Sequence, residues 1–274
     1  MEFENPRYID DPSICNFYHT IDLPGVGTVE GNWDLRGKFD EYIGGVEVSG
    51  RKVLDVGTAT GFLTFEAERR GAEVVSFDIG SAAYQALLPF ENSLFYTKHD
   101  VWVDERTKVF EHWKNAYWYC HRLLGSKARV YYGDVYHLPV ELGRFDIAIV
   151  GSILLHLSAP ITALASISRV PEDVIIVVDG MLDTEEPIAQ LRGRASNPEN
   201  DAAWWTLSRG VYREVFGMLG FEIDKITRSS YRYARPYSLV QPDTWAEETS
   251  IVAVRRGRNV MYGVDLPSVS DIKP

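Results

Sequence analysis

Residues 53–79 read VLDVGTATGFLTFEAERRGAEVVSFDI, and this stretch decides the fold. Its first part, with Arg51 and Lys52 ahead of it, is a compact apolar run of the kind that makes a buried strand. A glycine-bearing turn follows, Gly57-Thr58-Ala59-Thr60-Gly61. The next residues, 62–71, place Phe62, Phe65 and Ala67 near one face, Arg69 and Arg70 in the final turn, and Gly71 at the end. Both the basic end and the glycine stop suit a helix C-terminus. Residues 72–80 form a second buried strand that ends in Asp78. Strand, tight turn, helix and strand make one βαβ unit, the building block of a parallel sheet.

The same alternation continues toward the C-terminus. Residues 81–104 are irregular and aromatic-rich, and 105–125 have helical spacing with a glycine stop. Residues 128–135 and 145–152 read as a third and a fourth strand. A short helix begins at Pro160, a favoured first-turn position. Residues 173–180 are a fifth strand, and 208–219 a helix opened by Ser208. Residues 221–227 and 249–257 are a sixth and a seventh strand with no helix signal between them, so they fit an antiparallel edge hairpin. The expected fold is α/β: a doubly wound, mostly parallel, seven-stranded Rossmann-like sheet with an antiparallel edge strand. Residues 1–45, broken by Pro and Gly except for a short helix near 35–45, are expected to form a lid segment. The sheet domain is expected over 46–257, with inserts at 180–207 and 228–248, and 258–274 as a loose tail.

Composition narrows the class. The 274 residues carry 28 basic and 39 acidic side chains, a net charge of −11. That balance disfavours a nucleic-acid partner, because phosphate binding draws its affinity from Lys and Arg. Two distant cysteines, Cys15 and Cys120, make neither a disulfide framework nor a zinc set. No His/Cys/Asp/Glu group has metal-ligand spacing, so no metal is expected. The acidic start, MEFENPRYIDD, does not read as a secretory signal, and no apolar run is long enough for a bilayer. A cytoplasmic protein without a membrane partner is expected.

In open α/β sheets, ligands bind beyond the carboxyl ends of the strands. The glycine turn after the first strand lets backbone approach a ligand, and the following helix offers free N–H groups. Asp55 can accept from an ammonium group or order the loop. Asp78, about 20 residues past the turn, can take both hydroxyls of a ribose. Gly133-Asp134-Val135 offers an acceptor for an exocyclic amine, and residues 151–156, Gly-Ser-Ile-Leu-Leu-His, line the mouth of the same cleft. A full G-x-G-x-x-G fingerprint is missing, since Ala59 holds the middle position. No Walker lysine is present, which removes a P-loop.

These motifs resemble those of class I S-adenosylmethionine-dependent methyltransferases. Residues 53–79 are similar to that family's first two motifs, and YYGDVYHLP (131–139) and FDIAIVGSILLHL (145–157) to the next two. The resemblance implies S-adenosylmethionine as cofactor. Asp55, Gly57, Thr58 and Gly61 would cradle its methionine part. Asp78 with Ile79 would lie at the ribose, Asp134 and Val135 at the adenine, and Gly151 and Ser152 beside the sulfonium. Gly31-Asn32-Trp33-Asp34-Leu35-Arg36 and Leu155-His156 also resemble the branch that contains the tRNA wobble-uridine carboxymethyl-transferring enzymes and related methyltransferases. In that branch an aromatic and a basic residue ahead of the first motif help to hold the cofactor, which implicates Trp33 and Arg36. Leu155 stands where the tRNA enzymes carry tyrosine, so neither the tRNA substrate nor their carboxylated cofactor is carried over.

The expected activity is methyl transfer to a small organic acceptor. An RNA methyltransferase, or a protein that binds or uses the sulfonium without methylating, are the alternatives. His156 is the first candidate base, against a packing or helix-capping role, and His19 is the second, against an exposed loop position. Aromatic inserts are expected to wall the acceptor site: Tyr84 to Trp102, Trp204-Trp205, and Tyr231, Tyr233 and Tyr237. Arg228, Arg232 and Arg235 could bind an anionic group of the acceptor, or be a solvated loop. The oligomeric state and the methylated atom stay open.

Overall fold

A computed structural model describes residues 2–198, 202–233 and 244–269. Its strands, in chain order, are β1 (Ile21–Leu23), β2 (Gly27–Val29), β3 (Trp33–Asp34), β4 (Lys52–Val56), β5 (Glu73–Ile79), β6 (Arg129–Gly133), β7 (Phe145–Gly151), β8 (Pro171–Asp179), β9 (Ala189–Leu191), β10 (Trp205–Leu207), β11 (Phe221–Tyr233) and β12 (Thr244–Arg255). The α-helices are α1 (Phe39–Tyr42), α2 (Phe62–Arg69), α3 (Leu94–Thr97), α4 (His99–Leu124), α5 (Pro160–Ile167) and α6 (Arg209–Met218).

The main sheet runs β3-β11-β12-β8-β7-β4-β5-β6. Its five-strand centre, β8 to β6, is parallel. Strand β12 is antiparallel to β8 and β11 antiparallel to β12, which places the C-terminal hairpin at the sheet edge. The chain leaves β4 toward β5 and β6, then crosses back to β7 on the other side of β4. The crevice between the ends of β4 and β7 is therefore the topological switch point, where open sheets bind ligands.

Both faces of the central strands are covered, which explains their unbroken apolar runs. On one face α5 and α6 bring Leu164, Ile167, Tyr212 and Phe216 onto Val56, Val150 and Val177. On the other, α1 and α2 bring Phe39, Tyr42, Phe62 and Leu63 onto Val53, Ile149 and Val178. A third cluster joins α4, through Tyr117, Trp118 and Cys120, to Ile21 and Leu23 of the N-terminal segment.

Several boundaries differ from expectation. The sheet has eight strands rather than seven, because Trp33 and Asp34 pair with Tyr233 and Arg232. The Trp33 and Tyr233 rings lie 4.6 Å apart, a nonlocal contact that fastens this two-residue strand. Helix α4 begins at His99, so 99–104 are helical rather than irregular. Its end is as expected: Gly125 takes φ 62 as the C-cap. The hairpin arms stay paired from Phe221↔Arg255 to Tyr233↔Thr244, so 228–233 and 244–248 are strand rather than insert. Within 180–207, β9 and β10 form an antiparallel pair. Residues 258–269 are tied down rather than loose: Glu47 N–H donates to Met261 O, Gly263 N–H to Gly45 O, and Tyr262 packs on the core.

Candidate active site

The glycine turn after β4 is built as a cradle. Gly57 N–H and Thr58 N–H both donate to Phe77 O, at 2.8 and 3.1 Å. Gly57 and Gly61 take φ +84° and +89°, where a side chain is disfavoured. A Cβ on Gly57 would also meet Ile153 at 2.2 Å. Ala59 sits in the same left-handed region, φ 47. Asp78, at the end of β5, latches onto this turn: its carboxylate accepts Ala59 N–H and Ile79 N–H, each at 2.6 Å.

Asp55 points the other way. It is 1% exposed and accepts from Thr64 Oγ1 at 2.7 Å. Thr64 also meets Thr58 at 3.0 Å and Ser76 at 2.7 Å, and Ser76 meets the Tyr117 hydroxyl at 2.9 Å. Burial lifts the Asp55 carboxyl to about 6. One of its oxygens, Oδ2, orders the loop from beneath, while the other, Oδ1, is buried without a hydrogen-bond partner among the described residues. Thr58 and Gly61 belong to the same substructure and are not in the cavity wall.

One cavity of about 340 Å³ lies at the switch point. Gly57, Asp78, Ile79, Asp134, Val135, Gly151, Ser152, Tyr84 and His156 all line it. Asp134 caps the short turn 135–137, accepting Tyr136 N–H at 2.9 Å, and meets His137 Nδ1 at 2.6 Å. Ser152 is held in a left-handed conformation, φ 49, with its N–H on Val178 O at 2.7 Å. At Gly151 a Cβ would approach the Tyr42 hydroxyl to 2.7 Å, so that backbone packs closely on α1.

His156 Nδ1 lies 2.7 Å from Ala202 O. A carbonyl only accepts, so Nδ1 carries the proton and Nε2 keeps its lone pair. Burial holds this imidazole below its usual range, helped by the charges of Arg192 and Arg106. It is neutral near pH 7, as a base requires.

Other expected site residues fall elsewhere. His19 is 8% exposed, is not in the cavity wall, and places Nδ1 3.3 Å from Thr60 Oγ1. Burial drops it to about 3, so it packs the back of the glycine turn rather than facing an acceptor. Trp33 is one layer removed: its Nε1–H donates to the hydroxyl of Tyr18, which lines the cavity. Arg36 pairs with Asp34 and Asp22, both at 2.8 Å, and braces the lid outside the cavity. Trp204 and Trp205 are fasteners rather than wall: their Nε1–H groups donate to Ala86 O at 2.9 Å and Ser158 O at 3.1 Å. Tyr231 is 1% exposed and packs on Tyr42, whereas Tyr233 lines the cavity. Arg228 pairs with Asp183 and Glu247, and Arg232 lies 3.8 Å from Asp34, so neither faces the cavity. Arg235 and Tyr237 lie outside the described residues.

Helix α4 supplies a wall that the sequence reading missed. Arg106, Phe110 and Trp113, at i, i+4 and i+7, face the cavity, with the Arg106 guanidinium 5.0 Å from the Phe110 ring centre and bonded to Gln85 at 2.9 Å. That spacing was a visible signal of one helical face. Among the described residues no group of three or more His, Cys, Asp or Glu could hold a metal. None of their helices is long and apolar enough to cross a membrane.

No family model matches the chain, and no curated protein matches it. Solved structures do. The magnesium protoporphyrin IX methyltransferase of Synechocystis PCC 6803, with bound SAH, is 15% identical over 76% of this chain and 75% of that one, TM-score 0.46. A proposed RNA methyltransferase from Pyrococcus horikoshii is 16% identical over 80% and 84%, TM-score 0.48. The Burkholderia thailandensis 1,6-didemethyltoxoflavin-N1-methyltransferase is 16% identical over 80% and 75%, TM-score 0.42. At these values the likeness is one of chain path, and the site is read from its own residues.

Proposed function

We propose that this chain is an S-adenosylmethionine-dependent methyltransferase acting on a small organic acceptor. The observation that carries this is the cavity at the β4/β7 crevice, lined from consecutive strand ends by Gly57, Asp78, Asp134-Val135 and Gly151-Ser152. The residues fit the cofactor. Each Asp78 oxygen keeps a lone pair beyond its one N–H bond, enough for a ribose diol. The Gly57 turn presents bare backbone to an amino-acid moiety, and Val135, Ile79 and Ile153 offer apolar surface for a base.

When bound, the cofactor supplies an electrophilic methyl group. The protein's part is to exclude water, align the acceptor and take up a proton. Tyr18, Phe110 and Trp113 form an apolar wall. His156, neutral and with a bare Nε2, is the group that removes a proton from an O–H or N–H acceptor. An aromatic wall around a cavity of about 340 Å³ suits a small molecule rather than a polymer.

Calorimetry with S-adenosylhomocysteine tests the cofactor, and a heat-silent titration would refute the reading. Transfer of labelled methyl to a panel of small alcohols, phenols and amines tests the chemistry. His156→Gln is expected to keep cofactor affinity and lower transfer to such an acceptor by about 10²–10⁴-fold. Unchanged transfer would remove His156 as the base.

A further inference from the structure

Helix α4 sends one cation into the cavity wall. Among the described residues that line the cavity, Arg106 is the one Lys or Arg side chain. The two acids of the wall are already turned onto backbone: Asp78 accepts Ala59 N–H and Ile79 N–H, and Asp134 accepts Tyr136 N–H. The wall is otherwise rich in rings, among them Tyr18, Tyr84, Phe110, Trp113 and Tyr233.

Arg106 is positioned from two directions. Its Nε–H donates to Gln85 Oε1 at 2.9 Å, and its guanidinium carbon lies 5.0 Å from the Phe110 ring centre and 5.7 Å from that of Trp113. Gln85 and both rings line the same cavity, so the guanidinium is held against its wall. The residue after Gln85 is fastened in turn, since Trp204 Nε1–H donates to Ala86 O. Two residues before Trp204, Ala202 O accepts the Nδ1–H of His156. One short segment therefore ties the partner of Arg106 to the candidate base, and the Arg106 charge reaches that imidazole.

A guanidinium stacked on rings and drawn partly out of water presents donors spaced for the two oxygens of a carboxylate. Charge points to the same group. In a chain with 11 more acids than bases, an anionic acceptor needs a local cation at its site. A lone guanidinium balances the single charge of a carboxylate, whereas a phosphate group carries about −1.5 to −2 near pH 7. The surrounding rings offer faces for a flat, aromatic body.

We propose that the acceptor is an aromatic carboxylic acid, its carboxylate paired with Arg106 and its reacting O–H or N–H directed to His156. This rests on the methyltransferase reading and adds the substrate class to it. Arg106 is the residue that selects the acceptor, and Gln85 positions Arg106.

The test uses the full chain saturated with S-adenosylhomocysteine and three probes of similar shape: 4-hydroxyphenylacetate, the neutral 4-hydroxyphenylacetamide and the cation tyramine. Calorimetry is expected to show the acid binding about ten-fold or more tightly than the amide, the contribution of one charge-assisted pair, with the amine weakest. Arg106→Gln is expected to erase the acid-over-amide preference while the S-adenosylhomocysteine isotherm stays as in the parent. Equal binding of acid and amide, binding of none of the three, or an undiminished preference in Arg106→Gln overturns the proposal. So does a loss of S-adenosylhomocysteine affinity in that variant, because Arg106 would then hold the cofactor's own carboxylate. Arg106→Lys carries the test if Arg106→Gln does not fold: it keeps the charge and loses the two-donor edge, so affinity for the acid should fall while that for the amide holds, and an unchanged acid affinity overturns the assignment. Failure of the parent chain to bind S-adenosylhomocysteine refutes the methyltransferase reading and this proposal with it, whereas cofactor binding without acid preference refutes this proposal alone.

Discussion

Ala59 and Ser152 hold left-handed backbone at the two sides of the cavity, 47° and 49° in φ. Such conformations cost a non-glycine residue on the order of 1 kcal/mol or more, and they persist where the surroundings over-determine them. Here the surroundings are visible: Asp78 grips Ala59 N–H, and Val178 O grips Ser152 N–H. The buried acids carry a second residue-scale consequence. Burial lifts Asp179 to about 7 and Glu248 to about 8, the latter pushed further by the Asp179 charge. An unfolded carboxyl titrates near 4, so the folded chain keeps protons that the unfolded chain has released, and stability falls as pH rises through that window. His19 and His156, held low, act oppositely but only below about pH 6.5, where an unfolded histidine becomes charged. The melting temperature of the unliganded protein should therefore drop by a few degrees between pH 6.5 and 8, each displaced pH unit being worth about 1.4 kcal/mol. In Glu248→Gln the drop should shrink, and a parent protein whose melting point is level across this range would contradict it.

At the scale of elements, the site is assembled by fasteners rather than by the sheet alone. Segment 202–205 stitches three walls: Ala202 O holds His156, Trp204 N–H donates to Leu155 O at 2.7 Å, and Trp204 Nε1–H reaches Ala86 across 118 residues. Trp204→Phe keeps an aromatic ring, though a smaller one, and deletes that last bond. It should cost about 1 kcal/mol, raise KM for the acceptor and leave cofactor affinity nearly unchanged; steady-state kinetics with calorimetry would show it. An unaltered KM would mean that the Ala86 wall stands without its fastener. The parallel strands were legible because burial on two faces leaves a local, continuous apolar mark. Strand β3 was not, since two residues leave no periodicity and their partner lies 200 residues away. The outer hairpin arms escaped notice for a related reason. Residues 228–233 and 244–248 are held by backbone pairing at the sheet edge, and their side chains are a mixture of polar and aromatic.

For the whole molecule, the N-terminal segment and α4 together close one side of the cleft. Arg7 pairs with Glu111 at 2.6 Å, Asn16 N–H donates to His112 O, and Tyr18 and Trp113 meet across 5.9 Å at the cavity wall. The excess of 11 acids bears on partners at this scale. Retention on transfer RNA at physiological salt should be no greater than that of an unrelated acidic protein, with binding confined to low ionic strength if present. Salt-resistant retention in a filter or mobility assay would favour an RNA acceptor instead.

What the sequence by itself determined is the order of the central strands and their helices and which residues stand at the strand ends, because apolar period, glycine turns and terminal acids are local properties. The turn at 57–61, the acids Asp78 and Asp134, and the Gly151–His156 mouth needed no knowledge of distant residues. Only the tertiary structure decided which side chains face the cavity. Asp55 and Asp78 both end strands, yet one turns into the Thr64–Ser76 network and the other onto the glycine turn. His19 and His156 are alike in sequence terms, and packing sends one behind the turn and the other into the wall. Direction, burial and partnership are set by nonlocal packing, and no local pattern encodes them.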